Sequence, residues 1–215
     1  AVSRACLASK KLPATCPQCV IYNPCQPNFK FKKIKKIIDI LFVGRFIEGK
    51  GLFILIAALK HLESLKYRLK VRLVGTGPLL PEIKNVGKSL KNISLRCCGP
   101  LRERRLSTIY AQSKILVVPS TTQPEGLPLV LTEGFRFGLP AIVSDTTIFR
   151  EAVGNAGLYF TINNSKELAF KIAQLLRVPS LLKNKRIAAL KRYERFSFEN
   201  FSKKLIELFR VIHHD

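Results

Sequence analysis

The chain has 215 residues, 47% of them hydrophobic and 24% charged, which excludes a disordered or fibrous class and allows one large domain with extensions. Lys and Arg number 37 against 14 Asp and Glu, a net charge of +23, so the field favours anions: phosphorylated small molecules, an acidic membrane surface or nucleic acid. No apolar run is long enough to span a bilayer, and AVSRACLASKKLPATCPQC at the start lacks the hydrophobic segment of a signal peptide.

The first 35 residues are irregular and Pro-rich, too short for a domain of their own. Met is absent throughout, so position 1 is expected to lie within a longer reading frame. Cys16 and Cys19 form a CPQC pair, but no second pair and no histidine stands at zinc-ligand spacing, so structural thiols are expected and no metal site. From residue 37 a regular alternation begins. IIDILFV at 37–43 reads as a buried strand, and GLFILIAALKHLESL as a helix with Leu52, Leu55, Ile56, Leu59 and Leu62 on its apolar face. LKVRLV at 69–74 is a second strand, followed by a basic helix or loop to residue 90. NISLRC at 92–97 is a third strand, ERRLSTIYAQ a short helix and KILVVP a fourth strand. LPLVLTEGFRFG reads as a helix with Pro128 in its first turn, and PAIVS as a fifth strand. A short strand, GLYF at 157–160, leads into a helix with Ser165 as expected N-cap. Pro179 interrupts that helix, and two helical segments finish the chain, the last being SFENFSKKLIELFRVI. Strand and helix alternating over short connections predict an α/β fold, a Rossmann-like parallel sheet with helices on both faces. Ligands in such sheets bind at the carboxyl ends of the strands.

The candidate site residues fall at those ends. Gly44 and Arg45 follow the first strand, and Lys50 and Gly51 open the next helix. Two cations and a flexible backbone there suit a diphosphate, although ordinary surface charge on so basic a chain is an equal reading. The segment departs from the P-loop pattern at Gly51, where a hydroxyl residue would stand. Gly75 and Gly77 end the second strand, as a tight turn or as backbone brought close to a ligand. Gly126 and Leu127 offer backbone N–H groups ahead of a helix, a natural anion cradle. Glu133 lies among Val130, Leu131 and Phe135, where a carboxylate is costly without partners; a pair of sugar hydroxyls would serve. Glu125 lies just before that helix, where a reacting group would sit. Two carboxylates also suit glycoside hydrolysis, but the cations and the anion cradle favour a phosphate-bearing donor.

The stretches VIYNPCQPNF, ILFVGRFIEGKGLFILIAAL, LVGTGPLLPEI, VVPSTTQPEGLPLVLTEGFRFGLPAIVSD and EAVGNAGLYF together resemble the C-terminal half of retaining glycosyltransferases with the GT-B fold. The resemblance runs from about residue 20 to the end. It implies transfer of a hexose from a nucleoside diphosphate sugar to a hydroxyl acceptor with retained configuration, the nucleotide sugar being substrate and no cofactor being needed. Carried over, Arg45 and Lys50 grip the diphosphate, Glu133 holds the ribose, Glu125 lies near the anomeric carbon without acting as nucleophile, and Gly126 and Leu127 donate from backbone. Cys97, Cys98 and Gly99 fall where relatives line the base pocket.

The same resemblance divides the chain into residues 1–35, linker and remnant of an N-terminal domain, a donor-binding domain over 36–196, and a helix at 197–215 that crosses back to the N-terminal domain in two-domain relatives. Residues 24–27, PCQP, depart from the Gly-Val-Asp run of many members, in the linker. An N-terminal acceptor domain, in cis or in trans, is thus an expected partner, and activity of this chain by itself is not expected. A cytoplasmic location with peripheral contact to an anionic membrane follows if the acceptor is a lipid-linked sugar. Two alternatives remain open: a non-catalytic nucleotide-sugar-binding module or subunit of a split enzyme, and, on charge alone, a nucleic-acid-binding protein.

Overall fold

The run from Ile38 to Val43 (β1) carries one polar residue, Asp39, and buries its side chains on both faces, the pattern of a central parallel strand. The computed structural model describes residues 19–24, 34–122 and 127–212. The further strands are β2 (Leu69–Val74), β3 (Ile93–Cys97), β4 (Ser113–Val118), β5 (Ala141–Ser144) and β6 (Gly157–Phe160). All pair in parallel, in the order β3-β2-β1-β4-β5-β6. The helices are α1 (Leu52–Ser64), α2 (Leu80–Ser89), α3 (Glu103–Gln112), α4 (Leu129–Arg136), α5 (Thr147–Val153), α6 (Ser165–Arg177), α7 (Pro179–Glu194) and α8 (Phe198–Ile212).

Alternation along the strands splits the core into two layers. Ile40, Phe42, Val71, Leu73 and Ile115 meet α1 and α6 on one face. Leu41, Leu116 and Val143 meet Tyr110 of α3, Leu131 and Phe135 of α4 and Phe149 of α5 on the other. The five apolar positions expected for α1 are all buried. The chain is therefore an α/β domain of the Rossmann-like, doubly wound type. Its strand order reverses between β1 and β4, the switch point where such sheets open a crevice.

Several local expectations shift. The cap of α6 is Asn164, whose Oδ1 accepts from Glu167 N at 3.0 Å; Ser165 is the first helical residue instead. Asn163 just before it takes a left-handed backbone, φ 66°, and that turn delivers the Asn164 amide, not the Ser165 hydroxyl, to the helix end. Pro128 stands outside α4, with extended backbone at its N-cap. Helix α5 has no counterpart among the expected elements: it has only seven residues, and Thr146 caps it by accepting from Phe149 N. Residues 80–89 settle as helix. Ser197 caps α8, accepting from Asn200 N at 3.1 Å, while the Asn200 amide turns to Arg195 O.

The β1 and β4 ends touch through backbone. Gly51 closes a 3-10 turn, Glu48–Lys50, with φ 67°, and a Cβ there would lie 1.8 Å from Pro119 O. Gly51→Ala is expected to lower the unfolding free energy by at least about 1–2 kcal/mol from the left-handed backbone alone, with the contact added. Urea titration checks this: the midpoint should fall with little change of slope. An unmoved midpoint would mean that the two loops part freely.

Candidate active site

Four loops leave the carboxyl edge of the sheet and are joined by direct hydrogen bonds. Gly44 N donates to Val74 O at 3.0 Å and Phe46 N to Thr76 O at 2.9 Å, which tie the β1 loop to the β2 loop. Gly75 N donates to Gly99 O at 2.9 Å and Cys98 N to Leu73 O at 2.8 Å, which tie β2 to β3. Across the switch point, Thr121 N donates to Gly49 O at 3.0 Å, and Thr122 Oγ1 reaches the same carbonyl at 3.3 Å. Gly44, Arg45, Lys50, Gly75, Gly77, Cys98 and Gly99 therefore sit on one contiguous rim. Arg45 is exposed there and Lys50 half-buried. Among the described residues neither forms a salt bridge.

The glycines of the rim have distinct reasons. A Cβ on Gly75 would lie 1.9 Å from Gly44 O, and one on Gly77 would lie 2.5 Å from Phe46 O. Both residues are small because the β1 loop packs on them, so the close approach inferred from sequence is to neighbouring backbone. Gly99 differs: φ is 70° and nothing lies within 4 Å of its missing Cβ, so only backbone conformation requires it.

Helix α4 follows the β4 loop. Leu127 just before it is buried in the core, which leaves only its backbone available to a ligand. Glu125 and Gly126 lie outside the described residues. In the second turn of α4, Glu133 is half-buried, and Tyr110 Oη of α3 donates to its Oε2 at 2.7 Å. Tyr110 is itself buried and stacks on Phe137, ring centroids 5.7 Å apart. Burial holds the Glu133 carboxyl above its ordinary range, and the Tyr110 hydroxyl pulls it back down. Sequence reasoning missed Tyr110, and with it Thr121 and Thr122. Nothing in ERRLSTIYAQ announces a partner 23 positions away. Burial also raises the Cys97 thiol, which keeps it protonated, as a structural cysteine would be. Among the described residues no three His, Cys, Asp or Glu side chains cluster as a metal site, and no helix is long and apolar enough to cross a membrane.

A doubly wound sheet with a cationic, glycine-bearing rim at its switch point has the architecture in which α/β domains open a ligand crevice. Residues 26–207 match the family of glycosyl transferases group 1, and the chain belongs to that family. An uncharacterized glycosyltransferase of Methanocaldococcus jannaschii is 31% identical over 168 residues, covering 76% of this chain and 42% of the relative. O-antigen chain mannosyltransferase B of Escherichia coli is 28% identical over 118 residues, covering 55% and 30%. The chain thus spans less than half the length of these curated relatives. A TarM mutant of S. aureus, solved with fondaparinux, alpha-GlcNAc-glycerol and UDP, shares the fold at TM-score 0.77 and 19% identity, over 94% of this chain and 41% of that one. HepE of Anabaena, solved with UDP, does so at TM-score 0.69 and 20% identity, over 81% and 49%.

Because the folded-state pKa of Glu133 is raised above its ordinary 4.5, the fold prefers the protonated carboxyl. That contribution is present below the unfolded pKa and is lost as pH rises through the folded value. Tyr110→Phe removes the hydrogen bond that supports the ionised form, so it should cost about 1–3 kcal/mol once Glu133 ionises and less when it is protonated. Unfolding measured at about pH 8 and about pH 4 decides this. Equal losses at both would mean that Tyr110 acts through packing alone.

Proposed function

We propose that this chain is the donor-binding half of a retaining glycosyltransferase, moving a hexose from a nucleoside diphosphate sugar to a hydroxyl acceptor. The observation that carries the reading is the rim itself. Arg45 and Lys50, free of salt bridges among the described residues, share it with backbone of the β2 and β3 loops at the switch point. On this reading residues 36–196 form the donor domain, 1–35 the linker and the remnant of an N-terminal domain, and 197–215 a helix that returns to that domain. As the bond from the anomeric carbon to the diphosphate oxygen breaks and the acceptor oxygen bonds on the same face, negative charge builds on the leaving phosphate, whose freed oxygen takes the acceptor hydroxyl's proton. Arg45, Lys50 and the backbone at Gly126 and Leu127 would receive it. Glu133 would hold the ribose hydroxyls, Glu125 would lie beside the donor sugar, and Gly44, Gly75, Gly77, Cys98 and Gly99 would shape the floor and the base pocket.

Calorimetry with a panel of UDP-, GDP-, ADP- and dTDP-sugars tests this. Binding of at least one is expected, and a folded chain silent across the panel would sink the reading. Glu133→Gln should weaken the ribonucleotide by roughly 1–3 kcal/mol and leave inorganic diphosphate almost unchanged. The Arg45→Ala, Lys50→Ala double variant should do the reverse: it should erase the advantage of diphosphate over nucleoside and spare the nucleoside.

The reading of the chain as one part of a split or two-domain enzyme is favoured by α8, which leaves Phe198, Ile206, Phe209 and Val211 exposed along a strongly amphipathic helix. We take their partner to be an acceptor-binding N-terminal domain, in cis or in trans, and we place the assembly in peripheral contact with an anionic membrane. Sedimentation of the chain alone should show self-association, with hexosyl transfer undetectable until an N-terminal domain is supplied. Rapid transfer by a monomer would defeat this part of the reading.

A further inference from the structure

At the pole of the sheet opposite the site rim, α1 ends and the chain turns through Leu65 and Lys66 into β2; Lys66 takes a left-handed backbone, φ 63°. A cleft of about 500 Å³ opens there between that turn and α6. Leu65 and Phe170 line it, each 64% exposed, with Val178 at 41%. Single exposed apolar residues need no explanation, but these three share one cleft. Its charged lining has one sign only: Lys166 and Arg177, with His61 as the titratable neighbour and no carboxylate. The nearby acids are engaged elsewhere. Glu63 accepts from Asn92 N at 2.6 Å, and Glu167 accepts from Thr161 N at 2.8 Å and pairs with Lys171. The Arg177 guanidinium lies over the Tyr67 ring, 4.7 Å from its centroid, which fixes a cation at the edge of the apolar patch.

We propose that this cleft is the surface by which the chain docks on an anionic lipid bilayer. Phe170 and Leu65 enter the headgroup zone, and Lys166 and Arg177 meet lipid phosphates. The inference rests on the reading, given above, that the protein contacts a membrane, and names where. A bilayer supplies both things the cleft asks for, an apolar layer and a plane of negative charge immediately outside it.

The chain contains no Trp, so Phe170→Trp is a single-site reporter. Vesicles of phosphatidylcholine alone, and of phosphatidylcholine with phosphatidylglycerol, are compared by sedimentation and by tryptophan emission. The chain should sediment with the anionic vesicles only, and emission of the Phe170→Trp variant should move to shorter wavelength. Leu65→Ser with Phe170→Ser should weaken partitioning about tenfold or more, by loss of buried apolar surface. Circular dichroism verifies that this exposed pair does not affect folding. No sedimentation would overturn membrane contact and this surface together. Sedimentation with unchanged emission, or full partitioning of the serine pair, would overturn the surface alone, and a Phe209→Trp reporter would then test α8 in its place.

Discussion

The arrangement of the site depends on backbone meeting backbone where the strands end. Pro119 O against Gly51, Gly44 O against Gly75 and Phe46 O against Gly77 leave no room for a Cβ at any of the three. These contacts draw the loops after β1, β2 and β4 into one surface before any ligand is considered. They also account for the departure from the P-loop pattern. A Ser or Thr at position 51 would drive its Cβ into the Pro119 carbonyl, so the loop gives up the hydroxyl that such motifs offer a metal. On the proposed reading, a site built this way would hold phosphate with the side-chain cations Arg45 and Lys50 and with strand-end backbone.

The type and order of the elements were legible because the apolar periodicity is strong. The run Ile40 to Val43 must be buried on both sides, and Leu52 through Leu62 make one helical stripe. What stayed hidden is tertiary or very local. Helix α5 is too short to carry a period. Asn164 and Ser165 are adjacent and both competent caps, and only the left-handed turn at Asn163 chooses between them. Gly75 and Gly77 were readable as a tight turn or as positions of close approach, but not what approaches them, because the neighbour comes from the β1 loop some 30 residues away. Glu133 was conspicuous as a carboxylate among apolar neighbours. Its partner was not, since Tyr110 reads as an ordinary core aromatic in an amphipathic helix.

The chemistry of that partner bears on how such a carboxylate could work. Three other acids sit against cations: Asp39 against Lys114, Asp145 against Arg150 and Glu167 against Lys171. Each pair would have to be broken, at electrostatic cost, before the acid could serve a ligand. Glu133 is instead held by a neutral hydroxyl on one oxygen, Oε2. A hydroxyl donor neither neutralises the charge nor occupies both oxygens, since a carboxylate offers about four acceptor positions. Tyr110, locked by burial and by its stack on Phe137, therefore orients the carboxylate while acceptor positions remain for incoming hydroxyls. Burial raises the cost of ionising it, so a ligand that brings two hydroxyl donors gains more here than at an exposed acid. On the proposed reading, the half-buried carboxylate with a neutral partner is what lets the domain tell a ribose from a bare phosphate, while the rim cations cannot.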